Sequence, residues 1–235
     1  MKKVAICIPH SHNTFEKYFA LNLITVLTKF YSYANKTQNY SFNIFVQGEG
    51  YIDTMRNILA DMSLKDDADY ILWLDTDMTF PPDIVERMLN HFENDPELEV
   101  VSGLYTWKTP PFRPHTYTDF DEKTGRFKIA AGFPLQDTFK IEGAGFGCLM
   151  LKADVFRRAK RPYFKMDIKD NKIICGEDLY FFKNNKVKMI CDPTISCSHH
   201  VDNFISIDDY LCYNKLDIQN GDIIVTDEDI KKIDE

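Results

Sequence analysis

Two hydrophobic periods alternate along this chain. Val4-Ala5-Ile6-Cys7-Ile8 is an unbroken apolar run closed by Pro9, the pattern of a strand buried on both faces. Phe15, Phe19, Leu23, Leu27 and Phe30/Tyr31 then recur at helical spacing, and Asn13 with Glu16 three residues later has the form of a helix cap. Phe42, Ile44, Phe45 and Val46 predict a second strand, and Asp53 is placed to cap a helix carrying Met55, Ile58, Leu59 and Met62. Tyr70-Ile71-Leu72-Trp73-Leu74 predicts a third strand, Pro82 the first turn of a helix running to about Phe92, and Val100-Val101-Ser102 a fourth strand. Strands alternating with helices predict an α/β fold with a Rossmann-like, mostly parallel sheet. From 105 to 140 the pattern breaks up around Pro110, Pro111, Pro114, Gly125, Gly132 and Pro134, so loops and short strands are expected there. No linker or internal repeat interrupts 1–235, which reads as a single domain. Its first half spans about 1–103 and a less regular second half about 104–215. An acidic C-terminal tail occupies 216–235, within which Thr226 to Ile233 predict a short surface helix.

Composition narrows the function classes. A chain of 235 residues with 44 % apolar content fills one α/β core. A formal charge of -8 disfavours wrapping nucleic acid, which needs a basic field. The cluster Lys152, Arg157, Arg158, Lys160 and Arg161 is the basic patch that could meet an anionic acceptor, although a solvated helix face is the better explanation. No apolar run reaches the roughly 20 residues of a membrane helix, and Val4–Ile8 is too short for a secretory core, so a cytoplasmic protein is expected. The six cysteines form no Cys-x-x-Cys pair and read as buried reduced thiols. Nothing in the pattern fixes an oligomeric state.

In parallel sheets, ligands bind beyond the carboxyl ends of the strands. That picks out Pro9 to His12, Gly48 to Asp53, and Asp75 to Asp77. Asp75-Thr76-Asp77 sets two carboxylates one residue apart at the end of an apolar strand. Such a pair repels itself unless a cation joins it, and hard divalent cations choose oxygen ligands of this kind.

These residues resemble a known family. Arg56-Asn57-Ile58-Leu59-Ala60, then Ala68 through Asp77, then Pro81/Pro82, is similar to the nucleotide-sugar-binding half of GT-A fold glycosyltransferases, in the large family 2-like group. Gly176-Glu177-Asp178-Leu179-Tyr180-Phe181, then Lys188 through Pro193, then His199, resembles the acceptor half. The resemblance implies a metal-dependent transferase using Mn²⁺ or Mg²⁺ and a nucleotide-sugar donor, with a UDP-sugar as the default. It assigns Asp77 to the metal and Asp75 to the ribose or, through water, the metal. Pro9, His10 and the loop after them would meet the base, and Arg56 the nucleotide. His199 would be a further metal ligand; of His199 and His200 only one is expected to serve, because adjacent strand residues face opposite ways. Asp178, beside Glu177, would be the base of an inverting reaction.

Gly143-Ala144-Gly145-Phe146-Gly147-Cys148 resembles the donor-sugar segment, with Gly145 allowing close backbone approach. No Gly-Lys-Ser/Thr follows, so it is not a phosphate-binding P-loop. Trp107, with Arg113, His115 and Tyr117, offers aromatic faces for a sugar or base. Gln47 and Glu49 stand where the family often has an acidic nucleotide ligand, and Phe181-Phe182-Lys183 stands where it often has a basic residue. The acceptor is open among a glycan, a lipid-linked sugar, a protein and a modified nucleic-acid base.

Three alternatives stand beside this reading. Asp75-Thr76-Asp77-Met78-Thr79 also matches the Asp-x-Asp-x-Thr of haloacid dehalogenase-like phosphatases, though that motif normally follows the first strand and here follows the third. A nucleotidyltransferase would need a glycine-rich basic loop after strand one, which Pro9-His10-Ser11-His12 lacks. A non-catalytic sugar- or nucleotide-binding module would have no need of the Glu177-Asp178 pair.

Overall fold

The computed structural model describes residues 1–10, 16–169, 172–200 and 204–234. The first half runs β1 (Lys2–Pro9), α1 (Lys17–Thr37), β2 (Tyr40–Gln47), α2 (Ile52–Lys65), β3 (Tyr70–Leu74), β4 (Met78–Thr79), α3 (Ile84–Asn94) and β5 (Val100–Leu104). The middle holds β6 (Thr116–Asp121), β7 (Arg126–Ile129), β8 (Phe139–Lys140), β9 (Gly143–Ala144), β10 (Cys148–Lys152) and α4 (Asp154–Arg158). The chain continues through β11 (Asp167–Lys169), β12 (Lys172–Cys175), α5 (Glu177–Asn184), β13 (Met189–Ser196), β14 (Ser198–His200) and β15 (Phe204–Ile205). It closes with α6 (Ile207–Asn214), β16 (Asp217–Gln219), β17 (Asp222–Ile224) and α7 (Asp227–Asp234).

The central sheet has the order β2-β1-β3-β10-β5-β13-β8. β1 is parallel to β2 and β3, and β13 to β5, whereas β10 and β8 run antiparallel to their neighbours. This is the mostly parallel α/β sheet that the alternating pattern predicts. Side chains alternate across it. Val4, Ile6, Ile8, Leu72 and Leu74 pack with Phe19, Val26 and Phe30 of α1 and with Met88, Leu89 and Phe92 of α3. Ala5, Cys7, Ile71 and Trp73 pack on the other face with Leu59 and Ala60 of α2, Phe156 of α4, and Phe181 and Phe182 of α5. Each buried Leu, Ile or Phe contributes about 1.5–3 kcal/mol.

Helix starts differ from the sequence expectation in detail. The proposed cap Asn13 lies outside the described residues. Asp53 stands inside the first turn of α2, behind Tyr51 at the cap, where its negative charge favours the helix dipole. Pro82 precedes α3 rather than opening it, in a turn where the Ile84 N–H donates to the Pro81 carbonyl at 3.1 Å.

The insertion of β10 matters most for the site. Antiparallel pairing of Cys148 with Leu74 brings the glycine segment 143–147 against the carboxyl end of β3. Residues 216–234, expected as an acidic tail, fold back onto the second half. The Ile223 N–H donates to the Phe133 carbonyl at 2.9 Å, and Ile233 is buried with Tyr210 and Ala131. Thr226 and Asp229 cap α7 reciprocally. The cations near α4 are engaged locally: Arg157 pairs with Asp154, Arg158 with Glu99 and Arg161 with Asp61, while Lys152 donates to the Pro96 carbonyl. All six cysteines are free thiols, five of them buried and Cys212 exposed. Among the described residues, no helix is long and apolar enough to cross a membrane.

Candidate functional site

The turn after β3 is fixed at both ends by backbone hydrogen bonds. The Asp75 N–H donates to the Gly147 carbonyl at 3.0 Å, and the Asp77 carbonyl accepts from the His200 N–H at 2.7 Å. β4 then pairs antiparallel with β14, setting Met78 opposite His199. The two acids are thereby locked to the histidine strand.

Arg56 reaches this turn from α2. It is 3 % exposed. Its Nη2 donates to both Asp75 carboxylate oxygens at 3.2 and 3.3 Å, and its Nη1 donates to Glu177 Oε1 at 2.7 Å. Phe146 lies 5.5 Å from the guanidinium. Burial alone would lower the Arg56 pKa, but Asp75, Glu177 and Asp178 together hold it raised. Burial raises the Asp75 and Glu177 carboxyls, and Arg56 opposes that rise. One guanidinium thus serves two carboxylates, a geometry that suits its planar fork.

Asp77 is engaged on one side only. One carboxylate oxygen, Oδ2, pairs with Lys108, while Oδ1 is buried and has no hydrogen-bond partner among the described residues. His199 is buried behind it, with Nδ1 against the Thr106 carbonyl. Since a carbonyl only accepts, Nδ1 carries the proton and Nε2 keeps its lone pair. Burial lowers the His199 pKa, which favours the neutral ring that a metal ligand needs. Among the described residues no three His, Cys, Asp or Glu already surround one point closely enough to hold a metal ion. An unpaired Asp77 oxygen, a neutral imidazole and a second carboxylate nonetheless fit a hard or borderline divalent cation whose other ligands are water and phosphate.

Asp178 opens α5 behind Gly176, its Oδ1 accepting from the Leu179 N–H at 2.9 Å. Burial raises its pKa, with Arg56 opposing and Asp75 adding to the rise. Tyr105 braces the centre. Its hydroxyl accepts from the Gly147 N–H at 3.0 Å. A Cβ at Gly147 would meet Met78 Sδ at 2.8 Å and Asp75 Oδ2 at 3.0 Å, and one at Gly145 would collide with the Tyr105 hydroxyl. Both glycines are therefore required by close approach.

A cavity of about 340 Å³ unites Pro9, His10, Asp75 and Asp77 with Gly50 and Tyr51. The His10 imidazole occupies the space a Gly48 side chain would need. The predicted site residues do not all gather there. Arg56 lies beneath Asp75 and Glu177 rather than on the cavity wall. Gly145 sits under Tyr105, and Trp107 lines a different cavity. The other residues proposed for the loop after His10 fall outside the described residues. Tyr51, 85 % exposed at the lip, had no motif to mark it beyond its place after β2. Lys108, which pairs with Asp77, stands next to Trp107, and no sequence motif marks it. Asp192, from the second resembling block, serves the fold: burial pushes its carboxyl up, but His91, Thr194 and Arg87 outweigh that and bring it to about 2.

The model of the family described as glycosyl transferase family 2 matches residues 29–159. The solved structure titled "Crystal Structure of A197 from STIV" is similar at a TM-score of 0.61 and 23 % identity, covering 89 % of this chain and 92 % of that chain. At that identity the likeness shows the fold. Comparison with the curated proteins gives no match.

Proposed function

The chain belongs to glycosyl transferase family 2, and on that premise we propose that it moves a sugar from a nucleotide-sugar donor, with a divalent cation, to an acceptor hydroxyl with inversion. The observation that carries the reading is the turn Asp75-Thr76-Asp77 opening on the same cavity as Pro9, His10 and Tyr51, with one buried oxygen of Asp77 unpaired. That cavity is of a size for a nucleoside, and Tyr51 offers it an exposed ring.

Asp77 would hold Mn²⁺ or Mg²⁺, with Asp75 and His199 beside it. The bound cation would supply the positive charge that offsets the departing diphosphate. Lys108, paired with Asp77 Oδ2, would be released by the bound cation and could then meet a phosphate oxygen. Arg56 opposes the rise that burial gives the Asp75 carboxyl and orients it, so its role here is positioning. Asp178 takes the acceptor hydroxyl proton as that oxygen bonds to the anomeric carbon. The bond from that carbon to the diphosphate oxygen breaks, and the electron pair departs with the nucleotide. A raised carboxyl pKa strengthens Asp178 as a base. The phosphatase alternative would need Asp75 as nucleophile, and Arg56 already engages both of its oxygens.

The test is calorimetric titration with UDP, GDP and CDP, with and without Mn²⁺, on the native protein and on Asp77→Ala. The expected result is UDP binding that needs both the metal and Asp77. Binding indifferent to both, or none to any of the three nucleotides, overturns the reading.

A further inference from the structure

A second cavity, of about 610 Å³, lies between Trp107 and the β6–β7 hairpin. Resting on the glycosyl-transfer reading above, we propose that it is the acceptor subsite and that it takes a saccharide bearing a negative charge, as a carboxylate or a phosphate.

Position is the first argument. The nucleotide cavity and this one share no lining residue. Between them stands a stack in which His115 lies 4.9 Å from the Tyr105 ring and 5.4 Å from the Trp107 ring, both nearly parallel. Tyr117, in the second cavity, pairs in register with Gly143, at the start of the segment whose Gly147 leans on Asp75. The Asp178 charge also reaches Tyr117 and adds to the rise that burial gives its phenol. A Cβ at Gly143 would lie 3.2 Å from Leu179, so the hairpin lining this cavity is joined through Gly143 to the start of α5, the helix that carries the proposed base.

The lining chemistry is the second argument. Trp107 leaves 39 % of its surface exposed, a flat apolar face of the kind on which a pyranose ring rests. The Arg113 guanidinium stands 5.9 Å from that ring, and its Nε is buried with no partner among the described residues. A buried unpaired donor is costly, and a carboxylate or phosphate is its natural complement. Arg126 and Lys128 line the same space. Two acids share the lining, so three cations stand against two carboxylates and the cavity keeps a net positive charge. Asp121 accepts from the Lys123 and Thr124 N–H groups and the Thr124 hydroxyl, and Asp119 accepts from the Phe120 N–H. In a chain of formal charge -8, a net positive lining around an aromatic face, with the Arg113 Nε unpaired among the described residues, selects an anion locally against the overall field.

Fluorescence tests this directly. The chain has two tryptophans, and Trp73 is fully buried in the core, so emission changes on sugar binding report Trp107. The probes are methyl glucuronide, glucose 1-phosphate and neutral methyl glucoside, each with saturating UDP and Mn²⁺ to block the donor cavity. At least one charged sugar should bind about tenfold or more tighter than the neutral glycoside, and Arg113→Gln should abolish that margin. Which charged sugar wins distinguishes carboxylate from phosphate. Equal binding of all three, no emission change with any, or a margin that survives Arg113→Gln overturns the proposal. UDP calorimetry on Arg113→Gln confirms that the variant is folded, and loss of UDP binding by the native protein would instead count against the donor reading.

Discussion

Arg56 shows how one side chain can hold a site together. Its guanidinium separates two carboxylates that burial would otherwise protonate or force apart. Arg56→Met keeps the length and leaves Asp75 and Glu177 facing each other unneutralised. Removing one member of a buried charge network costs about 3–5 kcal/mol. Urea unfolding should show that loss, with Arg56→Lys recovering little because an ammonium cannot bridge both acids as the fork does. Asp178 should behave in the opposite sense. Its folded pKa is raised, so the fold favours the neutral form. The cost of ionising it is absent below the ordinary aspartate range near 3.9, appears as pH climbs through the raised value, and persists at pH 7. Asp178→Asn, an analogue of the neutral acid, should therefore raise the melting temperature at pH 7 by about 2–4 °C, as about 1 kcal/mol does in a chain of this size. No such gain is expected at pH 3. The same variant should lose about 10²–10⁴-fold in transfer rate. In the native enzyme the acid limb of the rate profile should sit above the ordinary aspartate pKa. A melting temperature unchanged at both pH values would remove the strain assigned to Asp178.

At the scale of elements, the decisive join is β10 between β3 and β5. The sequence showed Leu149-Met150-Leu151 as apolar and the preceding glycines as special, but local periodicity carries no information about which strand pairs with which. Antiparallel insertion is a long-range choice, and it is what presses Gly147 onto the Asp75 turn. β1, β3 and β5 were legible for the opposite reason: each is a run of local apolar residues buried on both faces, while the partly exposed edge strand β2 was legible by its apolar content. Acidic pairs at Asp75/Asp77 and Glu177/Asp178 were legible because charges at the ends of apolar elements stand out. Arg56 was legible as part of a motif but not as a bridge, since Glu177 lies far away in sequence and meets it only through the fold. Helix starts were misplaced at Asp53 and Pro82: extended Tyr51 takes the cap before Asp53, and a turn from Pro81 to Ile84 delays α3. Gly147→Ala tests the join. Its Cβ would press Met78 Sδ and Asp75 Oδ2, so about 1–3 kcal/mol of stability should go, as in other overpacked cores. UDP affinity should fall with it, because Asp75 must move. Unfolding and calorimetry measure the two effects, and intact UDP binding would show that the Asp75 turn tolerates the shift.

At the scale of the whole molecule, the C-terminal residues act on a loop more than a hundred positions earlier. Asn214 of α6 donates to the Pro111 carbonyl at 2.8 Å, and Tyr213 meets Phe112 edge-on at 5.7 Å. Those contacts bear on the loop that carries Trp107, Lys108 and Arg113. α6 is held in turn by Tyr210, whose hydroxyl donates to the Ala131 carbonyl at 2.7 Å, and by Ile233 of α7, buried in the same small cluster. The acidic segment is thus the outer clamp of the loop that separates the two cavities. Ile233→Asp sets a charge in that cluster without touching either cavity. Because the cluster is small and joins the sheet core through the half-buried Ile207, Leu211, Leu216 and Val225, its opening is expected to be local. Amide hydrogen exchange followed by mass spectrometry should show faster exchange across 105–117 and 207–234, with the strands of the first half as protected as in the native protein. Uniform acceleration along the whole chain would instead make α7 a support of the entire fold. Unchanged exchange at 105–117 would mean that the stack of Tyr105, His115 and Trp107 holds the loop by itself.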